Sequence, residues 1–138
     1  MDSLIPPTID VRNVLEQVDS AFRKCPLPNL VTTYPRNFKD YESRQVQKQL
    51  GGRDREDLSS YDISMIIIDH ELINDQALLH YLPRLLRGIL LDNIFHEDLL
   101  LSRLRLIDRS KLDPAGVVGL DLVAKLLKEV SEYRTKLE

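Results

Sequence analysis

The sequence has a single cysteine and no long apolar run, and these two shortages exclude several classes of protein. Cys25 has no second cysteine with which to form a disulfide inside the chain, which is typical of proteins in a reducing compartment. The longest uninterrupted apolar stretch, residues 65–68, is far shorter than the roughly 20 residues that span a bilayer. Because residues 1–3 begin acidic and no long apolar segment follows them, we expect no leader peptide. The sequence therefore predicts a cytoplasmic protein that does not bind membranes.

Motifs for catalysis and cofactor binding are also missing. The histidines lack the His-x-x-x-His spacing of a zinc-binding helix, and glutamate follows two of them where a histidine-aspartate phosphohydrolase requires aspartate. No Gly-x-Ser-x-Gly sequence is present, and Gly51-Gly52-Arg53 lacks the lysine of a phosphate-binding loop. We therefore predict no catalytic residue, no metal site and no cofactor. One enzymatic alternative remains, a small metal-dependent hydrolase in which the fold brings histidines and carboxylates together: His80, His96, Asp69, Glu71 and Glu97.

Charge gives no overall attraction for nucleic acid, since the net charge is -3 and the isoelectric point is near 5.6. Five arginines nevertheless lie within a quarter of the chain: Arg84, Arg87, Arg103, Arg105 and Arg109. A basic strip of this kind would favour binding to phosphates, but no stacking aromatic residues are interleaved with it. The other interpretation is a set of ion pairs with nearby acidic residues: Asp92, Glu97, Asp98 and Asp108. Nucleic-acid binding is thus the weaker alternative.

Length and composition predict one globular domain. The chain has 138 residues, of which 43% are hydrophobic and 30% charged, which is the balance of an ordinary globular protein. We assign residues 1–138 to a single domain, with residues 1–8 as an N-terminal tail. The charged residues 51–60 are predicted to form a flexible connector that follows a helix ending at two glycines.

A helix over Asp75–Leu91 is predicted to be the centre of this domain. Its leucines and isoleucine cover most of the helix circumference, so it must pack on two or three sides. A narrow polar side remains, which carries Gln76, His80, Pro83, Arg84 and Arg87. Pro83 removes one backbone hydrogen bond and is expected to kink or break the helix, or to free the carbonyl of Leu79 for contact with a partner.

Helical patterns also precede and follow this central helix. Val11–Phe22 is predicted as an amphipathic helix with Asp10 at its start, and residues 38–50 as a second helix capped by Asn37. We predict a helix over His96–Asp108, capped by Asn93 or Asp92, and a last helix that begins at Asp113-Pro114. The first turns of this last helix are expected to be irregular, because they contain two glycines. The residues of the last helix that are predicted to face inward are Leu122, Val123, Leu126, Leu127, Val130, Tyr133 and Leu137.

The segment Ile63–Ile68 is ambiguous. Three consecutive isoleucines favour a buried strand, whereas a cap at Ser60 and apolar spacing at Ile63, Ile66 and Ile67 favour a short helix. We predict the helix, since an isolated strand needs a partner and no second strand pattern is convincing. The fold class is then all-α, with five or six helices around the proline-containing central helix.

The order of three short motifs resembles an uncharacterised family of small bacterial domains of unknown function. These motifs are the Pro26-Leu27-Pro28 turn after an amphipathic helix, the His80-Tyr81-Leu82-Pro83 helix, and Leu112-Asp113-Pro114 at the start of the last helix. The resemblance implies a helical fold. It implies no chemistry, since that family has no assigned activity.

The surplus of leucine on the central and following helices favours a non-enzymatic protein that binds proteins. We hypothesise self-association, for example as a dimer, or binding of another protein in an immunity, antitoxin or adaptor role. The predicted interaction surface comprises these residues: His80, Tyr81, Pro83, Arg84, Arg87, Arg105 and Arg109.

Overall fold

Six α-helices and three short 3₁₀ helices make up the computed structural model, which describes residues 4–33 and 41–138. Their order along the chain is α1 Val11–Phe22, α2 Tyr41–Leu50, α3 Ser60–Ile68, α4 Asp75–Leu91, α5 Glu97–Leu104 and α6 Pro114–Leu137. The 3₁₀ helices are Arg55–Asp57, His70–Leu72 and Arg109–Lys111. Helix α4 packs against α1, α3 and the first 3₁₀ helix, while α6 packs against α1 and α5. The prediction of a single all-α domain is confirmed.

Helix α4 has the predicted boundaries and lies in the core. Asn74 caps it by accepting a hydrogen bond from the Ala77 N–H at 2.8 Å. Five side chains on its apolar side are fully buried: Leu78, Leu82, Leu85, Leu86 and Ile89. Pro83 is also buried, and the helix continues through it. Gly88 allows α3 to approach closely, because a Cβ atom there would lie 3.2 Å from Cγ2 of Ile63 and 2.8 Å from Cδ1 of Ile94.

The ambiguous isoleucine segment is helical, as predicted. Helix α3 starts one residue earlier than expected, because its N-cap is Ser59 and not Ser60. Ser59 and Asp62 form a capping box, with the Asp62 N–H donating to Ser59 Oγ at 3.2 Å and the Ser59 N–H donating to Asp62 Oδ2 at 2.9 Å. In the described residues, extended pairing is limited to an isolated bridge between Thr32 and Ile73.

Helix α5 is shorter than the predicted His96–Asp108 segment and ends at Leu104. Its N-cap position is His96, with a left-handed φ of 71°, so the predicted caps at Asn93 and Asp92 are wrong. The turn before α5 has a second left-handed residue, Asn93, which redirects the chain before the helix begins. The predicted N-cap Asn37 of the second helix, and residues 38–40, lie outside the described residues.

Helix α6 begins at Pro114 with Asp113 as its cap, as predicted, but the expected irregular start is wrong. The Gly116 N–H donates to Asp113 Oδ1 at 2.7 Å, which stabilises the first turn. Gly119 marks the point where α1 crosses α6, since a Cβ atom there would lie only 2.5 Å from Cβ of Ala21. The predicted inward residue Leu137 is 47% exposed, and the buried position near this end belongs to Arg134.

The predicted tail and connector both contact the rest of the domain. Ile5 is buried, and the Leu4 carbonyl accepts a hydrogen bond from Arg134. The connector, residues 51–60, contains the 3₁₀ helix Arg55–Asp57 and the buried Leu58. Its flexibility stays a prediction. Within the described part of the chain, no helix is both long and apolar enough to cross a membrane.

Candidate functional site

The polar side of α4, which the sequence predicts as an interaction surface, is covered by the chain's own connector. Tyr81 Oη lies 2.8 Å from the Arg53 carbonyl and 3.1 Å from the Leu50 carbonyl, so its single proton is shared between two acceptors. Arg84 donates to the Leu58 carbonyl at 3.3 Å, and Arg87 binds the carboxylate of Glu56 at 3.0 Å. These contacts satisfy the polar groups of α4 inside the domain.

His80 lies at the centre of this contact and is buried. Its Nδ1 lies 2.9 Å from the Cys25 carbonyl, and its Nε2 lies 3.3 Å from the backbone N–H of Arg55. Nε2 also lies 3.2 Å from Asp54 Oδ1, and a guanidinium nitrogen of Arg55 lies 3.3 Å from Nδ1, so both ring nitrogens are in contact with polar groups of the chain. The Arg55 side chain adds hydrogen bonds to the Phe22 and Cys25 carbonyls at 3.1 and 3.2 Å. Through these hydrogen bonds, His80 of α4 and Arg55 of the connector both bind the backbone at the end of α1.

The seven residues of the predicted interaction surface do not form one open surface. His80, Tyr81 and Pro83 are buried, while Arg84 and Arg87 bind the connector. Arg109 pairs with Asp121 of α6 at 2.9 Å, and Arg105 is exposed. The polar side of α4 could not remain buried without hydrogen-bond partners, and the chain supplies them itself.

The arginine strip is likewise divided among contacts within the chain. Arg84 lies 3.7 Å from Asp92, one of the partners expected from the sequence. Arg103 is buried, pairs with Asp75 and donates to the Ile73 carbonyl at 3.1 Å. Together with the pairs of Arg87 and Arg109, these contacts give four of the five arginines an acidic partner within the chain.

The histidines, the cysteine and the carboxylates of the described residues do not come together at a metal site. The described residues contain no group of three histidine, cysteine, aspartate or glutamate side chains that could hold a metal ion. His80 uses both ring nitrogens in the contacts above, and His96 is exposed at the start of α5. Burial raises the pKa of the Cys25 thiol, so this cysteine is a poor nucleophile. The hydrolase alternative therefore lacks its ligand set in the part of the chain that is described.

Helix α3 presents apolar side chains on two opposite sides. Its inner side carries Ile63, Ile66 and Ile67, which are at most 1% exposed. At 3.6 residues per turn, Tyr61, Ser64, Met65 and Ile68 fall together on the opposite side, which we call the outer face of α3. Tyr61 is 68% and Ile68 50% exposed, and Met65 is half-buried. A helix that is apolar all round is normally buried all round, so this face is a candidate contact surface.

Three other exposed apolar residues do not share a helix side: Phe95, Leu106 and Val118. The guanidinium carbon of Arg134 lies 5.4 Å from the centroid of the Phe95 ring, which gives this aromatic side chain a cation–π contact. Leu106 and Val118 are 77% and 69% exposed, on different elements. Single exposed apolar residues are common on protein surfaces and need no partner. On α3, by contrast, Tyr61 and Ile68 lie on the same side of one short helix.

Neither the outer face of α3 nor the burial of Arg103 and Arg134 was predicted from the sequence. Tyr61, Met65 and Ile68 follow a helical spacing of four and three residues, which was visible once α3 was taken as a helix. Arg134 lies four residues after Val130 on the inner side of α6, so its position alone indicated burial. An arginine at such a position signals a buried polar network, since a cation is rarely buried without partners.

Comparison of the chain with protein-family models, with curated proteins and with solved structures finds no match. The resemblance to a small bacterial family thus stays a prediction.

Proposed function

We propose that this chain is a non-enzymatic protein-interaction domain that binds its partner through the outer face of α3. The observation that carries the proposal is the exposure of Tyr61 and Ile68 on a helix whose opposite side is packed into the core. The leucines of α4 and α5 are largely buried inside the domain, so they do not form the exposed apolar surface that would favour association. The apolar face that remains exposed is the outer face of α3, which extends over two helical turns from Tyr61 to Ile68.

The partner is either a second copy of this chain or another protein, as in an adaptor, antitoxin or immunity role. We assign the interaction to the cytoplasm, because Cys25 is the single cysteine of the chain and is not in a disulfide, which is typical of proteins in a reducing compartment. No catalytic step is part of the proposal.

Site-specific photo-crosslinking tests it. A photoreactive amino acid at position 61 or 68 is expected to give one discrete covalent adduct in the native cell, whether with the chain itself or with another protein. The same amino acid at position 118 is the control, since Val118 is as exposed as Tyr61 but lies on α6. Light scattering after size-exclusion chromatography then separates self-association from binding of another protein. A folded, monomeric chain without a specific adduct at either α3 position would refute the proposed function.

A further inference from the structure

Acidic residues lie near both ends of α3, the helix that carries the outer face. Asp69 is the C-cap of α3 and lines a small cavity together with Met65. Glu71 follows in the 3₁₀ helix His70–Leu72 and is exposed. At the other end, Asp92 lies 3.5 Å from Ser60 Oγ, and its side chain is 41% exposed. The apolar residues of this face therefore lie on a helix with carboxylates near both ends.

Two of these carboxylates have no ion pair with any residue that the structure describes. Within residues 4–33 and 41–138, no ion pair involves Asp69 or Glu71. Asp69 also lies at the C-terminus of α3, where the helix dipole already places negative charge. A cation near this end would be attracted both by the dipole and by the two carboxylates. Asp92 differs, because Arg84 approaches it to 3.7 Å.

The apolar spacing fits a helical partner. Tyr61 and Ile68 are two turns apart, which is about 10 Å along the axis, and Met65 lies between them. Helices that bind in this way use anchors at positions i, i+3 or i+4, and i+7, and align them with a matching row on the receptor. The outer face of α3 offers such a row.

We propose that the outer face of α3 binds an amphipathic helix that carries lysine or arginine beside its apolar side chains. This inference rests on the proposed function and adds the chemistry of the partner. A second copy of the chain fits less well, because carboxylates lie near both ends of this face, so a two-fold interface would bring carboxylates of one copy toward those of the other whether the two α3 helices ran parallel or antiparallel. The net charge of -3 adds to this repulsion.

Two synthetic peptides test the inference by fluorescence anisotropy. Each has about 18 residues, roughly five helical turns, with leucine on one side; the other side carries lysine in the first peptide and glutamate in the second. We expect the leucine–lysine peptide to bind the whole chain and the leucine–glutamate peptide to bind at least about tenfold more weakly. Binding of the first peptide should weaken as salt rises from about 50 to 300 mM, because the charges are exposed.

Substitutions on α3 identify where the peptide binds. Tyr61→Ser combined with Ile68→Ser should weaken binding of the leucine–lysine peptide about tenfold or more. The matched control is Leu106→Ser combined with Val118→Ser, which removes two equally exposed apolar side chains elsewhere and should leave binding unchanged. Far-ultraviolet circular dichroism confirms that each variant is folded. Equal losses in the two double variants would overturn the inference, since binding would then be nonspecific.

A second pair of variants tests the role of charge. Asp69→Asn with Glu71→Gln should weaken binding several-fold and flatten its salt dependence. Asp19→Asn with Glu132→Gln changes the net charge by the same amount at exposed positions on α1 and α6, and should have little effect. Equal effects of both pairs would show attraction to the net charge alone and would overturn the inference.

The remaining outcomes separate this inference from the proposed function. If both peptides bind equally and Tyr61→Ser with Ile68→Ser abolishes both, the interaction face stands and the basic partner is wrong. If the chain forms a dimer that the same double variant dissociates, the occupant is a second copy, which again overturns only the partner chemistry. If the wild-type chain binds neither peptide, the inference is refuted, while the crosslinking experiment still decides the proposed function.

Discussion

Replacement of Arg134 should destabilise the domain more than removal of any exposed charge. The side chain is buried and donates hydrogen bonds to the carbonyls of Leu4 at 3.1 Å, Ile89 at 3.1 Å and Ile94 at 2.9 Å. It also pairs with Glu97 at 2.8 Å, and both side chains of the pair are at most 10% exposed. One arginine thus connects the N-terminal segment, the end of α4, the following turn and the first turn of α5.

The expected loss follows from what remains after Arg134→Met. The variant keeps an apolar stem of similar length but leaves the Glu97 carboxylate buried without its cation. Removal of one partner from a buried ion pair costs about 3–5 kcal/mol, which is a large part of the roughly 5–15 kcal/mol that stabilise a typical domain. The second variant, Arg134→Met with Glu97→Leu, removes both charges and should recover part of the loss. A deficit of about 1–3 kcal/mol should persist, because the carbonyls still lack their donor.

Equilibrium unfolding in urea, followed by circular dichroism, measures these differences. With a slope of about 2 kcal/mol per molar urea, the single variant should lower the unfolding midpoint by about 2 M. Arg12→Met is the control, since Arg12 pairs with Glu16 at 3.4 Å but its side chain is 91% exposed, and such pairs contribute at most about 1 kcal/mol. The reasoning is refuted if Arg134→Met changes the free energy of unfolding no more than Arg12→Met does.

Three further predictions concern packing and ionisation. Gly119→Ala should lower the free energy of unfolding by about 1–3 kcal/mol, because its Cβ would lie 2.5 Å from Cβ of Ala21. This loss is expected despite the better helix propensity of alanine. Addition of Ala21→Gly should restore stability in the same urea assay. Burial disfavours the ionised form of Asp62, but hydrogen bonds from Ser59, Arg53 and Gln49 outweigh it and lower its pKa from 3.8 to about 2. The ionised Asp62 carboxylate therefore stabilises the folded chain by about 2 kcal/mol above pH 4, and this contribution is lost as the pH falls toward 2. The difference in free energy of unfolding between the wild type and Asp62→Asn should shrink over that range. Burial raises the pKa of Tyr81 from 10.0 to about 12, so the free energy of unfolding should fall as the pH rises between these values. Tyr81→Phe should reduce that fall when urea unfolding is measured at several pH values in this range.

Helical periodicity was sufficient to predict most of the fold. The boundaries of α4 follow from the cap at Asn74 and from an apolar pattern that ends with Leu91, and the start of α6 follows from Asp113-Pro114. Errors arose where one residue determines the local geometry. The left-handed conformation of His96 moves the start of α5, and no propensity scale anticipates a histidine with a positive φ at that position.

The candidate site was harder to predict, because a polar stripe on a helix has the same sequence pattern whether solvent or the chain itself covers it. The sequence marks His80, Arg84 and Arg87 as one side of α4, and the structure agrees, but the connector occupies that side. Contacts between residues 25 or more positions apart depend on the tertiary fold, and no local pattern encodes them. The outer face of α3 was hard to predict for a related reason, since the apolar residues of its two sides alternate along one short segment and share the same sequence pattern as a buried helix.

Stability and interaction depend on different residues in this fold, and this separation makes both proposals testable. Arg55, Arg103 and Arg134 each bind backbone carbonyls near helix ends, where acceptors would otherwise lack partners, so their replacement should affect unfolding. Tyr61 is 68% and Ile68 50% exposed, so polar substitutes there should lower the free energy of unfolding by much less than replacement of a buried arginine does. A loss of binding in a variant of unchanged stability then reports on the outer face of α3 itself. Were Tyr61→Ser with Ile68→Ser to unfold the domain, these side chains would belong to its core, and α3 would have no free face to offer a partner.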